Sequence, residues 1–208
     1  MLLWEAGLWY FQKPLYIEAF NRDRTQPHLW KKILLLLVLI IIHAALATFT
    51  VDYTQQLTEK GLTEAQAQQA SPIVMMIGII GVIIVSIIFV GITFVITLII
   101  YKIFKKALSK KGIFGGVLRY YNTVLCATII ISAIQLLFHL DITTVKIDSL
   151  NIFAPDNALL SAFSLTNLLS GWLFGVMLHS NGHLPAKWSW LLGIAVFILS
   201  VVFTAIAA

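Results

Sequence analysis

The chain is poor in charge, and that scarcity decides its class. Only 11% of its 208 residues are Asp, Glu, Lys or Arg, while 60% are hydrophobic; a soluble domain carries roughly 25% charged residues. A water-soluble fold of this length could not cover so much apolar surface, and the mean hydropathy of +0.93 places the chain in a bilayer. Cysteine is nearly missing as well. The single thiol, Cys126, excludes an intramolecular disulfide and a cysteine-rich metal centre; inside an apolar run it reads as a small packing residue. There is no GxxxxGK(S/T) loop for nucleotides, no GxSxG nucleophile and no HExxH zinc motif. We therefore expect no enzyme activity, no cofactor and no metal. Residues 1–30 also lack the basic-then-apolar order and small-residue cleavage site of a signal peptide, which leaves targeting to the first membrane span. The net charge of +5 sits in clusters beside apolar runs, without the aromatic-interleaved basic stripe of a nucleic-acid binder.

What is present is five apolar stretches, at about 33–51, 72–101, 120–140, 158–178 and 188–207. Each reaches the roughly 20 residues that cross about 30 Å of hydrocarbon. The fold expected is an all-α integral membrane protein: a five-helix transmembrane bundle over residues 31–208, preceded by a cytoplasmic or interfacial N-terminal segment, 1–30. Residues 1–20 alternate aromatic and aliphatic residues with Glu5, Lys13 and Glu18, the pattern of a helix lying in the interface, broken or capped near Pro14. Orientation follows from the basic residues. Twelve lie before span one, between spans two and three, or after span four, and two lie in the opposite loops, Lys60 and Lys146. The positive-inside rule then gives N-in, C-out.

The loops add detail. Thr63 followed by Gln66 resembles a capping box, opening a short external helix that runs towards Pro72. The β-branched run in 141–157 suggests a short extended segment. Lys102, Lys105, Lys106, Lys110 and Lys111 form a cytoplasmic basic cluster just past the long second span. Anionic lipid would hold it with roughly 1 kcal/mol per residue.

Inside the spans, polar and small residues align at about 100° per residue. Tyr121, Thr128, Ser132, Gln135 and His139 share one face of span three; Ser164, Asn167, Gly171, Gly175 and His179 share one face of span four. The stripe reads first as helix-packing glue, with Gly171 and Gly175 forming a GxxxG contact and Leu173 pointing elsewhere. A polar path for a solute or proton is the sharper reading of the same residues. His43, in mid-span one, reads as a neutral imidazole bonded to a neighbouring helix. His179 and His183 suggest a metal only if one helix carries both, and Asn181-Gly182 with Pro185 argues that the helix ends between them.

The segments KIFKKALSKKGIFGGVLRYY (102–121) and LLSAFSLTNLLSGWLFGVMLHSNGHLPAKWSWLLG (159–193), in this order after an overlong span, resemble the Yip1 domain family, in its compact bacterial form. The resemblance implies a five-helix bundle with no catalytic residues. It also implies an accessory or scaffolding role, sometimes beside an ABC-type exporter, in a bacterial cytoplasmic membrane. The expected function is thus a non-catalytic membrane accessory protein that assembles another membrane complex. Its partners would be the lipid bilayer and a membrane protein or further copies of itself, with no nucleic acid. The alternative is a small transporter or channel with its polar path along spans three and four.

Overall fold

A computed structural model describes residues 15–49, 51, 53–138, 140, 146–154 and 157–207. The described elements are helical: α1 (Leu15–Thr25), α2 (Leu29–Phe49), α3 (Tyr53–Glu59), α4 (Glu64–Ile103), α5 (Lys110–Leu137), a 3-10 turn (Leu150–Phe153), α6 (Ala158–Ala162), α7 (Leu165–Gly182) and α8 (Ala186–Ala207). Four of these, α2, α4, α5 and α8, are long and apolar enough to cross a membrane. The N-terminal part of the expected interfacial helix, residues 1–14, lies outside the described residues, as does His139. The part that is described, α1, packs on α5 and α7 with Phe20 fully buried.

Helix α4 starts at the expected capping box. The Thr63 N–H donates to Gln66 Oε1 at 3.1 Å, and the Gln66 N–H donates to the Thr63 hydroxyl at 3.4 Å. It is not a short external helix, however. Pro72 lies inside one continuous helix of 40 residues, about 60 Å long at 1.5 Å per residue. A proline forfeits one backbone bond and clashes with the preceding turn. Here the Ala- and Gln-rich stretch before it favours helix, and the apolar run after it must satisfy its backbone internally in lipid, so the chain continues through. Helix α3 folds back on this helix, and Tyr53 places its hydroxyl 3.1 Å from where a Cβ on Gly78 would stand.

The fourth stretch departs most from expectation. The span expected over 158–178 is two helices, α6 and α7, separated at Phe163 and Ser164. Ser164 has extended backbone, φ −106° and ψ 154°, and its hydroxyl accepts the Asn167 N–H at 3.1 Å. It is an N-cap and not a mid-span stripe residue, because Ser competes well for the orphan N–H groups of a first helical turn. The preceding loop reinforces the break: the Leu165 N–H donates to the Asp148 carbonyl at 2.6 Å, and Ser149 and Ser164 form an isolated antiparallel bridge. The described part of 141–157 is accordingly a 3-10 turn and not an extended segment. At its other end α7 stops at Gly182, between the two histidines, with His183 as its cap in the left-handed region at φ 48°.

Helix α7 is wrapped by its neighbours. It packs against α1, α5 and α8, and Leu173, Met177 and Leu178 are fully buried. Leu173 thus sits in the core, contrary to the expectation that it points elsewhere. Gly171 and Gly175 face α8. A Cβ at Gly171 would stand 2.7 Å from the Gly193 carbonyl oxygen, and one at Gly175 3.0 Å from that of Ser189. Gly193 completes the contact from the other side, 2.6 Å from the Gly171 carbonyl oxygen by the same construction. Such small residues let two backbones meet where lipid provides no hydrophobic drive.

Leucine at Gly171 or Gly193 forces bulk against backbone that cannot yield. We expect both variants to melt well below the parent chain in detergent, and Leu191→Ala, at an exposed position of α8, to melt with it. Equal melting temperatures for all three would show that α7 and α8 do not meet at these glycines.

Candidate functional site: the two polar ends of the bundle

The polar residues gather at two ends of the helices. At the basic end, the last turn of α1 brings Asp23 into the bundle, where it is 1% exposed. Its carboxylate takes two cations. Arg119 on α5 engages it through both Nε and Nη2, the latter at 2.9 Å, and Lys32 on α2 pairs with Oδ1. Lys32 Nζ also donates to the Gly115 carbonyl at 2.9 Å, and Asn122 Nδ2 donates to the Lys32 carbonyl at 3.2 Å. A two-point arginine contact is among the strong forms of charge-assisted hydrogen bonding.

The local sequence explains why α1 can sit so close. Gly112, Gly115 and Gly116 open the first turns of α5. A Cβ at Gly112 would come 2.9 Å from the Arg24 carbonyl oxygen, and one at Gly115 2.7 Å from Pro27 Cβ. At Gly116 it would collide with the Asn181 amide, whose Nδ2 donates to the Gly112 carbonyl at 3.0 Å. The glycines therefore seat both α1 and the C-terminal end of α7.

The basic cluster lies beside this seat. Lys102, Lys105, Lys110 and Lys111 are exposed and Lys106 is half-buried. Among the described residues the two ion pairs both belong to Asp23, so none of the five lysines is paired. Ser109 caps α5 by accepting the Gly112 N–H at 3.0 Å. The pKa of His183 is lowered, first by burial and then by its neighbours Arg24, His179 and Lys106. His179 Nδ1 meets the Leu184 carbonyl oxygen at 2.8 Å, and among the described residues no cluster of three or more His, Cys, Asp or Glu could hold a metal.

At the far end, Ser132 and Gln135 of α5 and Ser164 and Asn167 of α7 line one cavity of about 250 Å³, which Lys146 and Asp148 also line. Gly171 and Gly175, from the same expected stripe, do not reach it and face α8 instead. Between the two ends stands a buried aromatic layer. The Tyr120 hydroxyl bonds to Ser170, its ring meets Phe174 edge-on with centroids 5.9 Å apart, and Tyr121 shares a 3.0 Å hydrogen bond with Thr93. His43 differs from expectation, since its Nδ1 is buried without a hydrogen-bond partner.

In the sequence alone Lys32 and Arg119 count only as basic residues that set topology, and Asp23 has no role. The available signal was Asp23 itself, an acid among the basic residues before span one, together with the GxxGG opening of α5.

Removing one member of a buried pair leaves its partners uncompensated and costs about 3–5 kcal/mol. Asp23→Ala should therefore lower the melting temperature in detergent and speed amide exchange throughout α1. Glu18→Ala, on the exposed side of the same helix, should do neither. Unchanged exchange in α1 for Asp23→Ala would show that the carboxylate does not hold the helix.

No curated protein and no solved structure matches the chain. The model for the Yip1 domain matches residues 11–208, a range that takes in the buried Asp23, the glycine-rich start of α5, the basic cluster and the wrapped α7. With nearly its whole length matched, the chain belongs to the Yip1 domain family.

Proposed function

We propose that this membrane protein is a non-catalytic accessory or scaffolding protein that binds or assembles another membrane complex, with an ABC-type exporter as one candidate partner. The observation that carries the reading is α4. Along it Ile73, Ile77, Ile84 and Ile88 are 51–64% exposed, and the helix exceeds by about 30 Å the thickness of the hydrocarbon it would cross. A long apolar ridge ending in unpaired lysines suits contact with other membrane helices on one side and with anionic headgroups at its end.

In the arrangement we favour, α2, α4, α5, α7 and α8 cross a bacterial cytoplasmic membrane, with residues 1–30 and the basic cluster inside. Helix α7 makes the fifth crossing although it is the least apolar, since its neighbours and not lipid surround it. The chain would act as one five-span domain over residues 31–208, on its own or as a homo-oligomer. The far cavity favours a second reading, a small transporter or channel along the third and fourth spans. Against it stands the aromatic layer of Tyr120 and Phe174, which separates the cavity from the basic end.

A photo-reactive residue placed at Ile77 or Ile84 distinguishes these readings in intact membranes. We expect a discrete adduct with a different protein, and none from the same residue at Ile198 on α8. Replacing Lys105, Lys106, Lys110 and Lys111 by Arg, or shuffling their positions, should leave that adduct unchanged, because the cluster acts as an anchor. Adducts with lipid alone would contradict the scaffolding role.

A further inference from the structure

The far-end cavity is unusual in a chain this apolar. Among the described residues that line it, Ile131 is the one apolar side chain. Its walls come from five places: Ser132 and Gln135 on α5, Lys146 with Asp148 from the loop after it, Ser161 on α6, Asn167 at the start of α7, and Thr204 on α8. Its volume of about 250 Å³ is the share of about eight waters, enough for one small solute.

We propose that this cavity binds a small zwitterion, an ammonium group and an anionic oxyacid joined by a few bonds. The argument rests on the two charges. Lys146 and Asp148 both line the cavity, yet they do not pair with each other, because both ion pairs among the described residues belong to Asp23. Asp148 Oδ2 is occupied, accepting the Thr166 N–H at 3.2 Å and its hydroxyl at 2.7 Å. Its Oδ1 has no donor among the described residues and is the acceptor on offer. The first turn of α7 is already capped by Ser164 and Asp148, so the recognition lies with side chains and not with the helix terminus.

Each charge also excludes a class of ligand. A simple cation would meet Lys146 unpaired, and a simple anion would meet Asp148; both leave one charge opposed. An apolar ligand would cover both charges and compensate neither. A zwitterion satisfies both charges at once, its anionic end on Lys146 and its ammonium on Asp148. The remaining hydroxyl and amide groups suit a polar body. This chemistry is shared by free amino acids and by the headgroup of an ethanolamine phospholipid.

The test uses the full chain, purified in mild detergent, in equilibrium dialysis with radiolabelled probes. L-serine stands for the free solute and O-phosphoethanolamine for the headgroup; ethanolamine and L-lactate carry one charge each. We expect saturable retention of L-serine, of O-phosphoethanolamine or of both, and none of the single-charge probes. Retention of L-serine only identifies a free solute, and of O-phosphoethanolamine only a headgroup. Lys146→Gln, and independently Ser132→Leu, which fills the cavity, should each reduce retention at least tenfold, and Lys146→Arg should keep it. The variants count only where their melting temperature matches the parent's. Retention of neither zwitterion, equal retention of a single-charge probe, or undiminished retention by folded Ser132→Leu would each overturn the proposal and leave a cavity filled with water.

Discussion

A polar helix can lie inside an apolar bundle only if its neighbours come close enough to wrap it. Helix α7 carries Thr166, Asn167, Ser170, His179, Ser180 and Asn181 within 18 residues, too polar a set to face lipid at low cost. Its glycines admit the backbone of α8, and the glycines of α5 admit its Asn181 amide in turn. Tyr101 at the end of α4 lies against Gly182. Helices α1, α4, α5 and α8 thus converge on α7, and the positions of the two polar ends follow from this packing. The Ser164 cap fixes one mouth of the cavity, and Asn181 fixes the floor beneath the basic end.

The buried carboxylate is the second constraint. An ionised Asp23 could not remain 1% exposed without Lys32 and Arg119, since desolvation of a lone carboxylate costs several kcal/mol. Its bonds join the N-terminal helix to α2 and α5, and Lys32 passes the connection to the Gly115 carbonyl. Two cations against one anion leave this end positive, and the exposed lysines beside it extend the charge. The far end is built differently, from neutral groups and one charge of each sign. One bundle therefore carries a basic surface at one end and a polar cavity at the other.

The parts of this fold that were legible in the sequence are those governed by local rules. The apolar runs of α2, α4, α5 and α8 exceed what any soluble core requires, and Thr63 with Gln66 specifies a helix start whatever surrounds it. Pro72 marks a probable boundary, but helix formers before it and an apolar run after it, which lipid holds helical, override it. The start of α7 was obscured because an apolar window cannot tell Ser164 in a span from Ser164 capping one; the tie from the Asp148 loop decides that, and it is a tertiary contact. For the same reason the GxxxG of α7 was visible while its partner, Gly193, was not. Ser132, Gln135, Ser164 and Asn167 were found by periodicity, but Lys146 and Asp148 join them only through the folding of a loop.

We propose that α7, despite its polarity, crosses the membrane because its neighbours wrap it. Lys187, exposed just past the turn that follows α7, reports on this most directly. In a chain with Cys126 replaced by Ser, a cysteine at Lys187 should resist an impermeant thiol reagent in intact cells and react after permeabilisation, as one at Ser109 should, while one at Gln68 reacts without it. Labelling at Lys187 in intact cells, with Ser109 still protected, would mean that α7 returns to the side it started from and would contradict the account.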